Sequence, residues 1–384
     1  MISVRSILIT GAAGFIGSAL CRRLASDNKV IGTDILKRPN GYAEIIWEQA
    51  DLTNWDSITA ICEKYSPSVV IHCAGIAHQK MGAVDSATYY MRVNSKVTEN
   101  LAKAAAESNP DVCFIFLSSV SVYGEGGQGS EVSGQWSGKT EDGECWPSSD
   151  YAVSKLDAEM RLRALYDEGK LHNLVILRLA PVYDRDWSLN LDRRVFAPGK
   201  LAYLRFGSGS QRMSALARPN LIEFIVHILQ STDHADFRRL NPQITQISTD
   251  EHGVDSRLRG NDKGEYGNEH GLDSRLRGND ERGRLRVFNV CDAEPYEFNT
   301  IIRVFKKSGI RPNIPVIHIP LFLVWFATRI AGVFFPKKRE WIHSCYEKLA
   351  SDLIFDNKKM LETGFRPRHT LETILSTDYA DYTD

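Results

Sequence analysis

Short, uniformly apolar runs recur along the first half of the chain, each followed by a longer stretch whose apolar positions fall at helical spacing. The runs Ser6 to Ile9, Lys29 to Thr33, Val69 to Ile71, Phe114 to Leu117 and Leu174 to Leu179 lack the strict alternation of a half-exposed strand and predict strands covered on both faces. Between them, Tyr89 to Ala106 sets Val93, Val97, Leu101, Ala104 and Ala105 along one helical stripe, with Asn94 inside it. Two further strands are expected at Gln243 to Ser248 and Leu285 to Val290. Strand and helix in alternation predict the α/β class, a doubly wound parallel sheet with right-handed crossovers and helices on both faces.

The first run ends in Thr10-Gly11-Ala12-Ala13-Gly14-Phe15-Ile16-Gly17. Three glycines between a strand and a helix also mark ordinary turns. Here Gly11 and Gly14 would let backbone approach a pyrophosphate, Gly17 would let the helix pack close, and the helix N-terminus would attract the anion. About twenty residues later, at the distance that separates a dinucleotide turn from its ribose-binding acid, Val30-Ile31-Gly32-Thr33-Asp34 ends in a carboxylate. Asp34 would bind an adenosine ribose diol and repel a 2′-phosphate, favouring NAD over NADP, although Lys37 and Arg38 follow closely. The sheet is therefore expected to be of the Rossmann type. Residues 1–183 would form the nucleotide domain, with later elements returning to it, residues 184–375 a smaller C-terminal substrate lobe, and 376–384 a tail.

The second group of polar residues sits where Phe114-Ile115-Phe116-Leu117 delivers Ser118, Ser119, Ser121 and Tyr123 to a strand end. Ligands of open α/β sheets bind at such ends. Downstream, Tyr151 and Lys155 stand four residues apart, on one face of a helix. A free phenol has a pKa of about 10 and is a poor base near neutrality unless a cation favours its anion. Lys155 supplies such a charge, and a serine hydroxyl can hold the oxygen from which Tyr151 takes a proton while hydride leaves the same carbon. A lone Tyr-x-x-x-Lys is common on amphipathic helices; after the glycine turn and the serine-bearing strand it carries more weight.

These segments, with Asp51-Leu52, His72-Cys73-Ala74-Gly75 and Ser118-Ser119-Val120-Ser121-Val122-Tyr123-Gly124, resemble the extended short-chain dehydrogenase/reductases of the NAD-dependent sugar epimerase/dehydratase family. The resemblance is strong to about Tyr183 and looser to about Leu375. It implies Ser119, Tyr151 and Lys155 as the catalytic set. It further implies contacts to NAD from Gly11, Ala13, Gly14, Phe15, Ile16, Gly17, Asp34, Asp51, Leu52, Ala74, Gly75, Asn94, Ser118, Tyr151, Lys155, Pro181 and Val182. Ser119, Ser121, Tyr151 and Arg212 would meet the substrate, a nucleotide-diphosphate sugar whose pyrophosphate Arg212 would clamp. A homodimer through the helices bearing Asn94 and Tyr151 is implied as well.

Departures from the family narrow the chemistry. The 4,6-dehydratases carry an Asp-Glu pair after the catalytic hydroxyl residue, where this chain has Val120 and Ser121, and Ala180-Pro181-Val182-Tyr183-Asp184 lacks the asparagine of UDP-galactose 4-epimerases. What remains is hydride transfer at a sugar carbon, C4 by resemblance, by an epimerase or a 4-ketoreductase. Two alternatives stand beside this reading: a membrane-associated hydroxysteroid-type dehydrogenase/isomerase, and a regulator that senses NAD without turnover.

Composition fits a large buried core: 384 residues, 43% hydrophobic, formal net charge −1. Near-neutral charge gives no basis for nucleic-acid binding. Seven cysteines without a Cys-x-x-Cys pair and ten histidines without ligand spacing suggest reduced thiols, no metal site and a cytoplasmic location. No leader peptide is expected, since the N-terminal apolar run is needed as the first strand.

The apolar segment 315–335 is interrupted by Pro320 and Arg329 and is expected as a packed helix of the C-terminal lobe. The second reading is a weak membrane-surface contact aided by Lys337, Lys338 and Arg339; a span is the third. In 249–285, Gly253 to Asp262 recurs almost letter for letter as Gly271 to Asp280. Two copies are too few for a solenoid, and so polar a stretch is expected as a disordered insertion. Gly124 to Gly143 is expected as a loop and candidate lid, with Glu141 and Asp142 solvated.

Overall fold

The computed structural model describes residues 4–77, 85–124, 131–132, 135–136, 138–233, 284–336 and 339–376. The predicted strand Gln243 to Ser248, nearly all of the repeat segment, Lys337, Lys338 and the end of the chain lie outside the described residues.

Among the described residues seven strands form one parallel sheet: β1 (Ser6–Thr10), β2 (Lys29–Asp34), β3 (Ile46–Gln49), β4 (Val69–His72), β5 (Cys113–Ser119), β6 (Asn173–Leu179) and β7 (Arg284–Val290). Their order is β7-β6-β5-β4-β1-β2-β3. Because side chains alternate across a strand, each apolar run feeds two cores. Ile7, Ile9, Ile71, Ile115 and Val175 pack on one face against helices α1 (Phe15–Ala25) and α5 (Arg218–Asp233). On the other, Leu8, Val70, Phe114, Phe116 and Ile176 meet α2 (Trp55–Tyr65), α3 (Val97–Ser108) and α4 (Asp150–Asp167). The apolar runs are uniform because both faces are covered.

β1 lies between β2 and β4, so the chain leaves it in opposite directions and a crevice opens at the C-terminal ends of β1 and β4. Caps set the helix that faces it. Ser149 Oγ accepts the Ala152 N–H at 3.2 Å, starting α4 so that Tyr151 falls in its first turn. The predicted helix Tyr89 to Ala106 is not uniform: an α-turn Ser86–Tyr90 and a π-helical turn Met91–Lys96 precede α3, and Asn94 sits in the π-turn.

A third core gathers Tyr183, Leu191, Tyr203 and Met213 with Phe298, Ile301 and Phe305 of α6 (Phe298–Lys307). Short strand pairs frame it, Val182–Tyr183 with Leu216–Ala217 and Tyr203–Phe206 with Val316–Ile319. Asp292, just beyond β7, ties this core to the sheet. It accepts the Ala217 N–H at 2.8 Å, Asn220 Nδ2 at 2.7 Å and the hydroxyls of Tyr183 at 2.7 Å and Tyr296 at 2.9 Å, while burial pushes its carboxyl above the usual range.

Two expectations are corrected. The segment 315–335 resolves into the strand Val316–Ile319 and α7 (Leu321–Phe334), and the described neighbours do not bury that helix: Gly332 is its one buried residue. No helix among the described residues is long and apolar enough to cross a membrane. Glu141 is buried rather than solvated, its Oε1 accepting the Asn289 N–H at 2.8 Å, and desolvation raises its pKa. Gly138, where a Cβ would lie 2.8 Å from the Asp356 nitrogen, brings the end of that loop against the chain at 354–356, and residues 125–130, 133–134 and 137 of the expected lid lie outside the described residues.

Candidate active site

Three backbone turns build the crevice. Gly11 leaves β1 with φ +63°, and a Cβ there would stand 2.8 Å from the Ala74 nitrogen, so the turns after β1 and β4 meet only over a glycine. A Cβ on Gly17 would reach 2.2 Å from the Gly11 oxygen, which fixes α1 against the same turn. The Gly14 N–H donates to Gly11 O at 2.9 Å, and no side chain caps α1, leaving its first amides, at Phe15 and Ile16, as donors for an anion.

Asp34 closes β2. Its two oxygens accept the N–H groups of Ala13 at 3.1 Å and Leu36 at 3.0 Å, and each keeps capacity for a hydroxyl. The Arg38 guanidinium is drawn to the Tyr42 carbonyl. Asp51 is exposed and holds its own turn by accepting the Thr53 N–H at 2.8 Å, while the neighbouring Leu52 is buried.

Behind the crevice, Asn94 is fully buried. Its Oδ1 accepts the Ile76 N–H at 2.8 Å, and its Nδ2 donates to Ile76 O at 2.9 Å and Ser154 Oγ at 3.0 Å. Ser154 in turn donates to Tyr151 O at 2.8 Å. The loop after β4 and the first turn of α4 are thereby joined through one side chain. Gly75 is small for a related reason: a Cβ there would lie 3.0 Å from Asn94 Oδ1 and 3.5 Å from Lys155 Nζ.

A second buried chain supports the first turn. Thr98 Oγ1 donates its single proton to Asn94 O at 2.6 Å, so it accepts from His72 Nε2 at 2.9 Å. His72 Nδ1 then accepts from Thr10 Oγ1 at 2.7 Å, and Thr10 Oγ1 accepts the Ala74 N–H at 3.1 Å. Every proton is placed with a neutral imidazole. Burial, helped by the Lys155 charge, holds the His72 pKa down to about 3.

Ser119, Tyr151 and Lys155 converge where β5 ends against α4. Ser119 stands beside the Tyr151 phenol and favours its anion, and Ser119 Oγ accepts the Ser121 N–H at 3.2 Å. The Lys155 ammonium is buried, donates to Leu117 O at 2.8 Å and lies 4.7 Å from the centre of the Phe116 ring. Burial lowers its pKa to about 8. Burial also raises the phenol of Tyr151, outweighing the opposite effect of Ser119, so the chain alone does not hold this tyrosine as an anion.

The remaining site residues divide. Ser121 Oγ is buried with no hydrogen-bond partner among the described residues, and Pro181 and Val182 sit at the strand pair leaving β6, where Pro181 O accepts the Leu216 N–H at 3.0 Å. Ser118 turns from the crevice and donates to Glu159 Oε1 at 2.5 Å. Glu159 and Arg178 form a buried bidentate pair, with Arg178 Nη2 to Glu159 Oε2 at 2.7 Å, so the Ser118 hydroxyl serves the interior. Arg212 donates Nε at 3.1 Å and Nη2 at 2.9 Å to Asp352.

Sequence reasoning missed how Phe15 is held. Its ring lies 5.7 Å from Trp187 and 4.7 Å from the Arg218 guanidinium, which donates to Phe15 O at 3.2 Å and pairs with the buried Asp184. Residues from two distant parts of the sequence, 184–187 and Arg218, thus clamp the glycine turn. Nothing in the local sequence signalled it, since Asp184 is one of several charges flanking the Pro181-Val182 segment.

A parallel sheet of this order, with a glycine turn and a half-buried acid at the ends of adjacent strands, is a dinucleotide-binding α/β fold. The model of the NAD dependent epimerase/dehydratase family matches residues 7–241, and the chain belongs to that family. It is 32% identical over 225 residues to a UDP-glucose 4-epimerase of Vibrio cholerae, covering 58% of this chain and 66% of that relative. It is 28% identical over 180 residues to a dTDP-glucose 4,6-dehydratase of Neisseria meningitidis, covering 42% and 49%. The chain thus spans about half to two thirds of the length of these relatives.

Among solved structures, the UDP-Glc/GlcNAc 4-epimerase of Campylobacter jejuni superposes with a TM-score of 0.65 at 18% identity, covering 97% of both chains. The UDP-glucuronic acid 4-epimerase of Bacillus cereus, in complex with UDP-glucuronic acid and NAD, gives 0.60 at 19%, covering 96% of both. At such identities the likeness is one of fold.

Proposed function

We propose that the chain binds NAD in the crevice and transfers hydride at a carbon of a nucleotide-diphosphate sugar, C4 by resemblance. The observation that carries this reading is the convergence of Ser119, Tyr151 and Lys155 beside the turn where Gly11 meets Ala74. The first amides of α1 would receive the pyrophosphate, Asp34 the adenosine ribose, Asp51 and Leu52 the adenine edge, and Pro181 and Val182 the nicotinamide end. When bound, NAD supplies the acceptor and donor of hydride.

The protein's own part is proton handling and orientation. Ser119 holds the sugar hydroxyl next to the Tyr151 oxygen, and Tyr151 takes that hydroxyl's proton as hydride leaves the carbon. Tyrosinate and ammonium are each costly in this buried setting, and each lowers the cost of the other, so Lys155 makes the phenolate accessible at the moment of transfer. Ser121 Oγ, otherwise without a partner, offers the substrate a further hydrogen bond. Arg212 keeps its Nη1 edge for the diphosphate while Asp352 fixes the rest of the guanidinium. Val153 and Met160, exposed one above the other on α4, suit the homodimer expected from the resemblance.

UDP-glucose 4-epimerases and dTDP-glucose 4,6-dehydratases among the relatives favour a nucleotide sugar over a sterol, and an enzyme over a sensor. Val120 and Ser121, in place of an acid pair, leave epimerisation or ketoreduction. The test is incubation of the purified full chain and NAD or NADH with UDP-, dTDP- and GDP-sugars and their 4-keto forms. Interconversion of C4 epimers without net NADH identifies an epimerase; stoichiometric NADH consumption identifies a ketoreductase. Inertness toward all of them would overturn the reading.

A further inference from the structure

The exposed face of α7 and the cleft beside it have no role in the site. Phe322, Trp325, Phe326, Ile330, Val333 and Phe334 occupy one contiguous half of the helix and are all exposed, Val333 at 78% and Phe334 at 74%. So much apolar surface on one element marks an interaction site. Exposed Val316 and Ile317 extend the patch along the preceding strand.

Val316 also lines an open cleft whose other walls include Arg205, Arg303, Lys306, Lys307 and Asn299. No carboxylate lines it among the described residues, and Arg205 Nε is buried without a hydrogen-bond partner. Arg303 meets Glu372 only at 3.7 Å, with both side chains exposed. A cluster of cations with little compensation therefore adjoins the exposed apolar face of α7.

We infer that this face docks on the surface of a bilayer carrying anionic headgroups, with α7 lying in the interface and the cleft receiving headgroup phosphates. The helix rises only about 21 Å over its length, against the ~30 Å of a hydrocarbon core, so it lies on the membrane rather than across it. Arg329, 5.3 Å from the Trp325 ring, pairs an interfacial aromatic with a side chain long enough to reach the headgroups from the helix surface. A two-fold contact with a second copy would bring this cationic cluster toward its own image, which an anionic surface avoids.

The test is co-sedimentation of the full chain with vesicles of phosphatidylcholine alone and with added phosphatidylglycerol. Binding is expected with the anionic vesicles, accompanied by a blue shift of emission that Trp325→Phe removes. It should weaken about five-fold for each of Lys306→Gln and Lys307→Gln, as the electrostatic contribution of single basic residues near a membrane requires. The pair Phe322→Asp and Phe326→Asp should abolish it, with turnover in vesicle-free solution unchanged. Should that pair fail to fold, the lysine variants and the emission of the unaltered chain decide. Absence of sedimentation with every vesicle overturns the proposal. So does a concentration-dependent dimer lost in the aspartate pair without vesicle binding, or inorganic phosphate binding in the cleft with no affinity for vesicles.

Discussion

Asn94 clasps the main chain of Ile76 through both ends of its side-chain amide, accepting the N–H at 2.8 Å and donating to the carbonyl at 2.9 Å. A π-turn places it there, and its remaining proton reaches Ser154 and so the turn that carries Tyr151. The loop after β4 and the turn that carries Tyr151 are therefore set by one buried group. Asn94→Asp removes both donor bonds and turns a carboxylate oxygen toward the Ile76 carbonyl. We expect a loss of about 1 to 3 kcal/mol in denaturant unfolding for each buried group left unpaired. Misplacement of Tyr151 should lower kcat by up to about a hundred-fold. A variant with wild-type kcat would show that the clasp does not position Tyr151 for the proposed reaction.

Tyr151 and Ser119 are expected to act on the substrate hydroxyl and not on the dinucleotide. Tyr151→Phe keeps the ring packed against Tyr90, 6.3 Å between centres, and deletes only the hydroxyl. Turnover should fall by about a hundred- to ten-thousand-fold, the range of a lost general base, while NAD binding measured by calorimetry is unchanged. Equal loss of both would assign the phenol to the cofactor instead.

Legibility in the sequence followed the range of the interactions. Six of the seven strands and the glycine turn were readable because each rests on consecutive residues, the strand runs being apolar wherever both faces are covered. β3 was missed: Ile46–Gln49 is an edge strand with no fully buried residue and too little apolar character to stand out. The Thr10, His72 and Thr98 chain was illegible for the opposite reason. Thr10 and His72 are partners only through the register of β1 on β4, 62 residues apart. Ser118 looked like its neighbours Ser119 and Ser121, yet strand alternation sends it to Glu159 on the covered face. The apolar character of α7 was plain, whereas its exposure depends on which elements reach it.

His72 should make the protein acid-sensitive in a definable window. Its pKa is about 3 in the fold against 6.5 for the free side chain, so below 6.5 the unfolded chain takes up a proton that the fold refuses. Stability therefore falls as pH drops from 6.5 toward 3, by at most about 1.4 kcal/mol per pH unit. Glu99, held down to about 2 by Lys103, Lys96 and Arg161 despite its burial, adds a loss in the same direction only below its ordinary value of 4.5. Between pH 6.5 and 5 the histidine acts without it. His72→Gln should flatten the unfolding free energy across that interval, removing about 1.5 kcal/mol of its pH dependence. An unchanged slope would mean that the imidazole takes its proton inside the fold.

Lys155 should cost stability near neutral pH and recover it in alkali. Burial holds its pKa at about 8 in the fold, against 10.5 for the free side chain, so below 8 the charged form carries its full desolvation penalty, about 3 kcal/mol from the size of the shift. Between pH 8 and 10.5 the folded protein sheds the proton while the unfolded chain keeps it, and stability rises with pH. Lys155→Met removes the titration, loses the bond to Leu117 O and abolishes turnover. Denaturant curves of the two proteins taken from pH 7 to 10 should therefore converge on, or cross toward, the unaltered chain, by up to about 1.4 kcal/mol per pH unit above 8. Parallel curves would show that the ammonium is solvated in the fold, and the phenolate would then have no buried cation to stabilise it.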